Sequence, residues 1–139
     1  MRLVEDQIVQ VAGDNDEMLD AVNDARESIG EFFKAFENPL PNQTDFHIKA
    51  CFEDGTDAEH IWLSDIDFTT RPATGVVSNE PEIRSVSYME RVPFLPDQIS
   101  DWMYREDGRL VGGFTTKVLL RAQSRQAELI ALAGQKLPM

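Results

Sequence analysis

The chain has 139 residues, of which 42% are apolar and 27% charged, and it carries a net charge of −12 with a single cysteine, Cys51. That length and composition fit one globular domain with a real core and exclude a disordered chain. They also exclude an internal disulfide, a multi-cysteine zinc site and, because apolar runs are only a few residues long, a bilayer-spanning helix.

The charge is unevenly placed. Residues 1 to 46 hold eleven acids against three bases, residues 47 to 108 thirteen against five, and residues 109 to 139 one against five. The two ends of the chain therefore have opposite sign and are expected to attract each other. Clustered Lys and Arg are what phosphate neutralisation requires, so the chain is not read as a nucleic-acid binder. An acidic surface instead favours a basic protein partner. No membrane partner is expected, and Glu5 and Asp6 in the leading segment argue against a secretory signal, which leaves the cytoplasm as the expected location.

The lead contains Leu3, Val4, Ile8, Val9 and Val11, and the cluster Gly13-Asp14-Asn15-Asp16 then supplies helix caps, with Asp14 and Glu17 as a variant of the capping box. Met18, Val22, Ala25, Ile29, Phe32, Phe33 and Phe36 recur at helical spacing, with acids mostly on the other side. This predicts an amphipathic helix of about six turns, ending near Asn38-Pro39. The phenylalanine stripe is read as core.

From Phe46 the period changes to two. Phe46, Ile48, Ala50 and Phe52 face one way, His47, Lys49 and Cys51 the other, as in a half-buried strand. A second strand is expected over Glu59 to Phe68, with Ile61 and Leu63 in the core and His60, Trp62 and Ser64 opposite. Ile66 and Phe68 break that parity, so a bulge is placed near Ser64-Asp65. Gly75 to Ser78 is a third strand and Glu82 to Val92 a fourth. Pro93 and Pro96 interrupt pairing, and Asp97 to Asp101 forms one tight turn, of 3₁₀ type, into a strand at Trp102 to Tyr104. Asp107-Gly108 marks a hairpin, Arg109 to Val111 returns, and Gly112-Gly113 bends the chain into a further strand, Phe114 to Leu120. A last helix spans Gln123 to Ala133, capped by Gly134.

Strands joined by short turns make an antiparallel sheet, whose apolar face needs a helix to cover it. The fold class is α+β: a curved antiparallel sheet, with an SH3-like barrel as the closed version, covered by the long N-terminal helix and followed by a C-terminal one.

Several segments together are similar to a known family. Glu59-His60-Ile61-Trp62-Leu63, Gly75-Val76-Val77-Ser78-Asn79-Glu80-Pro81, Ile99-Ser100-Asp101-Trp102-Met103-Tyr104 and Gly108-Arg109-Leu110-Val111-Gly112-Gly113-Phe114-Thr115 resemble the YegJ-like family of small bacterial domains of unknown function. Met18, Ala21, Ala25, Arg26, Phe33 and Lys49 also fit. The resemblance covers residues 14 to 120 and departs at Met89-Glu90, where a Gly-Asp turn is expected. It implies a bacterial origin and a shared scaffold, and it supplies no reaction.

Chemistry, if any, belongs on the face opposite the core. Lys49, His60 and Trp62 are neighbours there if the strands pair, with Asn79, Glu80, Asp101 and Tyr104 at its margin. His60 with Glu59, Glu80 or Asp101 would be a general acid–base set, with Cys51 on the same face. No metal site is expected, since His47 and His60 stand thirteen residues apart, and no cofactor motif is completed: Gly108 to Gly113 lacks a phosphate-loop pattern. Trp102 is read as a core plug with its indole N–H on a backbone carbonyl. Trp62 is either a partly exposed anchor or the seat of the last helix, through Ala127, Ile130, Ala131 and Leu132. The leading functional expectation is a non-enzymatic protein-binding or regulatory domain, in one form an immunity-type antagonist of a basic partner. A small hydrolase or transferase using His60 is the second expectation, and a small-molecule sensor the third.

Overall fold

The computed structural model describes the backbone of residues 15–136 and the side chains of residues 16–133. The apolar lead and Asp14 lie outside the described residues. The first helical stretch is two helices, α1 (Asn15–Glu27) and α2 (Ile29–Glu37). The break falls at Ser28, whose hydroxyl donates to the Asp24 carbonyl at 2.7 Å. That back-bond competes with the helical ladder and turns the axis. The helical spacing read in the sequence is right, while the single six-turn helix is not.

Six strands follow: β1 (Gln43–Asp54), β2 (Asp57–Asp67), β3 (Ala73–Val77), β4 (Arg91–Phe94), β5 (Ile99–Glu106) and β6 (Arg109–Gly112). A single 3₁₀ turn, Pro96–Gln98, precedes β5 as expected. The sheet is antiparallel throughout, in the order β4-β3-β2-β1-β5-β6. Its ends do not pair, so it stays open and the closed barrel does not form. Pro93 sits in the edge strand β4, where a missing N–H is tolerated. Among the described residues no helix is long and apolar enough to cross a membrane.

The core forms where α1 and α2 cover one face of the sheet. Phe32 packs against Phe36, Phe46 and Trp102 at ring separations of 5.6 to 6.1 Å, and Ile48, Ala50, Ile61 and Leu63 are fully buried beneath them. The Trp102 indole N–H donates to the Ala25 carbonyl at 3.0 Å, tying β5 to α1. The bulge near Ser64-Asp65 is present: Asp65 has φ 47° and the β2–β3 register shifts between Ser64 and Asp67.

Residues 80–90 are not a strand. Their backbone donors are met by side chains instead: Glu82 and Ile83 N–H donate to Glu59 Oε1 at 2.8 and 3.1 Å, and Arg84 N–H to Asp54 Oδ2 at 2.9 Å. Carboxylates on the β1–β2 hairpin thus replace a ladder partner. The segment ends at Met89, which takes φ 71° where the resemblance leads one to expect a glycine. Met89 is 64% exposed and contributes little packing. Met89→Gly is expected to raise the unfolding free energy by about 1 kcal/mol, because a left-handed residue with a Cβ costs about that much. A urea titration checks this; a lower midpoint would mean that the thioether packs productively.

The last helix, α3 (Phe114–Lys136), begins nine residues earlier than expected and runs past Gly134, which is therefore not its cap. Phe114 to Leu120 is helix rather than strand. Met18, Ala21 and Val118 form a small second core between α1 and α3, flanked by Phe114 and Leu119. Arg121 and Arg125 both approach Glu17 at 3.8 Å, so the opposite charges of the two ends do meet. Both pairs are partly exposed and contribute at most a few tenths of a kcal/mol to about 1 kcal/mol. Beyond Ala122 the helix leaves the body: Leu129, Ile130 and Leu132 are 66, 72 and 52% exposed. It therefore does not pack on Trp62.

Candidate functional site

The face away from α1 and α2 carries a polar cluster built on three adjacent strands. Register places Lys49 opposite both Trp62 and Asp101, and Cys51 opposite His60. Between Lys49↔Asp101 and Ala50↔Ile99 the register slips, leaving Ser100 as an extra residue in β5. This bulge returns Ile99 to the core and turns Ser100 toward β2, where its hydroxyl lies 2.8 Å from His60 Nδ1.

Asp101 is the hub. It is fully buried. Its Oδ1 accepts N–H bonds from Trp102 at 2.8 Å and Phe114 at 3.2 Å, and its Oδ2 accepts from Thr115 N–H at 2.8 Å and the Thr115 hydroxyl at 2.5 Å. The Phe114 and Thr115 N–H groups are the first donors of α3, so a carboxylate from another element caps that helix and meets the positive end of its dipole. The Thr115 oxygen in turn accepts from Lys49 Nζ at 3.0 Å. One hydroxyl therefore links the buried ammonium to the buried carboxylate. Lys49 Nζ also stands 5.2 Å from the centre of the Trp62 ring, in cation–π contact.

Burial dominates the electrostatics. It lowers Lys49 to about 8, against the pull of Asp101. It raises the Asp101 carboxyl above the usual range, against the hydrogen bonds from Thr115 and Trp102 and the charge of Lys49. His60 is lowered to about 4, by burial first and then by Lys49 and Arg26. A histidine this weakly basic is neutral at pH 7 and poorly matched to general-base work there.

The predicted site residues divide accordingly. Lys49, His60, Trp62 and Asp101 do come together. Asn79 reaches the same strand, accepting the Trp62 backbone N–H at 2.8 Å in place of a ladder partner. Glu59 does not join: it pairs with Phe52 on the opposite side of the sheet and holds residues 82–83. Glu80 is exposed. Tyr104 is in the core, stacked on Phe46 at 5.0 Å and on Trp102 at 6.0 Å; burial, with Glu106 and Glu31, pushes its phenol up. Among the described residues, His60 does not line any of five surface cavities of about 120 to 490 Å³. Among the described residues no three His, Cys, Asp or Glu side chains converge on a point that would hold a metal ion.

Sequence reading missed Ser100 and Thr115. Ser100 left a signal, since Ile99 and Trp102 both face the core at an odd spacing, the same parity slip that revealed the bulge in β2. Thr115 was hidden by assigning Phe114 to Leu120 to a strand.

The His60 environment sets a pH dependence. With a folded pKa of about 4 against an ordinary 6.5, the unfolded chain binds more protons between those values, so stability is full above pH 6.5 and falls as pH drops toward 4. The expected loss is on the order of 2–3 kcal/mol. Asp101, whose folded pKa is raised, acts in the opposite sense above its ordinary 3.8. Comparing wild type with His60→Gln by urea unfolding at pH 7 and pH 4.5 isolates the histidine. The variant should lose less stability on acidification, and equal losses would contradict a buried neutral His60.

Comparison with known proteins places this scaffold. Residues 15–131 match the model of a family described as uncharacterised proteins conserved in bacteria (DUF2314). That match runs to residue 131, beyond Leu120, where the resemblance read from the sequence ends. The chain is 34% identical over 118 residues to the uncharacterised protein YegJ of Escherichia coli K12, covering 84% of this chain and 76% of that protein. It is 42% identical over 77 residues to a putative ankyrin repeat protein of Neisseria meningitidis serogroup B, covering 55% of this chain and 30% of that protein. No solved structure gives a significant match. With the family model spanning both helical ends and the whole sheet between them, the chain belongs to this DUF2314 family of uncharacterised bacterial proteins.

Proposed function

We propose that the chain is a non-enzymatic protein-binding domain that takes a basic partner at the Trp62 face, with an immunity-type antagonist as its specific form. The observation that carries this reading is the state of Trp62. It is half-buried, edge-on to His47 at 6.4 Å and braced by Lys49. A rigid, partly open aromatic beside polar groups is the kind of anchor on which binding energy concentrates. His60 is engaged with the Ser100 hydroxyl at 2.8 Å, and His47 is the histidine that stands against Trp62.

The acidic balance contributes at longer range. Asp16, Asp20, Asp24, Glu27 and Glu31 are all exposed on the outer side of α1 and α2, and a net charge of −12 steers a cationic protein without having to touch it. In the Neisseria relative the matched segment is under a third of a putative ankyrin repeat protein. Repeats of that kind stack into extended binding surfaces, which is consistent with a binding role for the neighbouring domain. The hydrolase or transferase reading needs His60 at the floor of a cavity with a carboxylate in reach. Glu59 faces away, Glu80 is exposed, and Asp101 is committed to α3.

Affinity capture from bacterial lysate with wild type and Trp62→Ala tests this, at about 0.01 M and about 1 M salt, where screening lengths are about 30 and 3 Å. A basic protein held by wild type, lost from folded Trp62→Ala and weakened by salt is the expected result. Identical retention by the two baits would overturn it.

A further inference from the structure

On the helix-covered side of the sheet, away from Trp62, a cleft of about 350 Å³ opens between α2 and the outer strands. Its walls are carbon. Phe33 stands edge-on to Phe68 at 5.2 Å, Phe68 edge-on to Phe94 at 6.3 Å, and Pro72, Ala73, Leu95, Pro96 and Ile99 add to the apolar lining. Phe33 and Leu95 remain 38 and 51% exposed. Leaving such side chains in water costs about 25 cal/mol for each Å² of apolar area, which a bound apolar chain would recover.

One charged side chain, Arg71, lines this cleft. It is exposed and makes no ion pair among the described residues. Phe33, Pro96 and Ile99 also line an adjoining hollow of about 420 Å³, whose charged groups are Arg26 and Asp97. Arg26 donates to the carbonyls of Ile99 at 2.9 Å and Asp97 at 3.4 Å, so its guanidinium braces the 3₁₀ turn. The second hollow therefore extends the apolar groove, and Arg71 is its open polar end.

Clefts of this size with apolar walls and one or two placed polar groups are the usual form of small-ligand sites. The polar group decides the ligand class. A guanidinium matches a carboxylate in bidentate geometry. A chain of net charge −12 repels multiply charged anions at long range, so a monoanion is favoured over a phosphate ester. We infer that this cleft binds an unbranched apolar monocarboxylate of fatty-acid type, with its chain along Phe33, Phe68 and Phe94 and its carboxylate on Arg71. The site is separate from the Trp62 face, so its test stands apart from that of the partner.

Calorimetric titration of the full chain with decanoate and with decanol, both below micelle-forming concentrations, tests the inference. Decanoate is expected to bind saturably and decanol at least about tenfold more weakly. Arg71→Gln, an exposed substitution whose folding is checked by thermal melt, should weaken decanoate about tenfold and leave decanol unchanged. Amide NMR shifts on adding decanoate should centre on Ala73, Leu95 and Ile99. No saturable decanoate binding, equal affinity for decanol, or an unchanged affinity in Arg71→Gln would each overturn it.

Discussion

Asp101→Ala is expected to destabilise the protein by roughly 3–5 kcal/mol, the cost of removing one partner from a buried charged pair. Three backbone donors and the Thr115 hydroxyl lose their acceptor at once, and the Lys49 ammonium keeps its burial without its counter-charge. Against a typical total of about 5–15 kcal/mol this is a large fraction. Urea unfolding at pH 7 measures it, and hydrogen exchange locates it: protection should fall first across Phe114 to Lys117, the turn that Asp101 caps. A loss under about 1 kcal/mol would mean that α3 is held by its packing on α1 and that the cap is incidental.

The second large effect is expected at Gly112. Its φ is 76°, and a Cβ there would lie 2.4 Å from the Trp102 carbonyl oxygen and 2.6 Å from the indole ring. Gly112→Ala therefore combines left-handed strain of about 1–2 kcal/mol with overpacking against a buried ring of about 1–3 kcal/mol. Gly108 provides the control. Its φ is 77°, yet nothing lies within 4 Å of the position a Cβ would take. Gly108→Ala should cost the backbone term alone, about 1–2 kcal/mol. Thermal or urea unfolding of the two variants separates conformational strain from lack of space, and equal losses would mean that the Trp102 ring shifts aside without penalty.

The fold was legible where periodicity is strong and local. Phe46 to Phe52 alternates cleanly, Met18 to Phe36 repeats at helical spacing, and the parity slip after Leu63 gave the bulge at Asp65. It was illegible where side chains at a distance take over backbone hydrogen bonds. Residues 82–85 look like a strand by composition, and only the carboxylates of Glu59 and Asp54, more than twenty positions earlier, explain why they are not one. The start of α3 failed for a related reason: its cap comes from Asp101, thirteen residues before Phe114 and across a hairpin, outside any local capping pattern. The candidate site was half legible. Alternation brought Lys49, His60 and Trp62 to one face, whereas Tyr104 was set at its margin beside Asp101, although three residues along one strand put the two on opposite sides. The β5 bulge at Ser100 changes the parity between Ile99 and Trp102, so both reach the core while Asp101 stays opposite Lys49.

The central claim is that the polar cluster behind Trp62 is one buried network holding α3 to the sheet. A double-mutant cycle in Lys49→Met and Asp101→Ala, read by urea unfolding at pH 7, tests it most directly. With Lys49 replaced there is no stranded ammonium, so Asp101→Ala should cost less on that background, giving a coupling energy of at least about 1 kcal/mol. If Asp101→Ala costs the same with and without Lys49, the two groups are independent and the network does not exist.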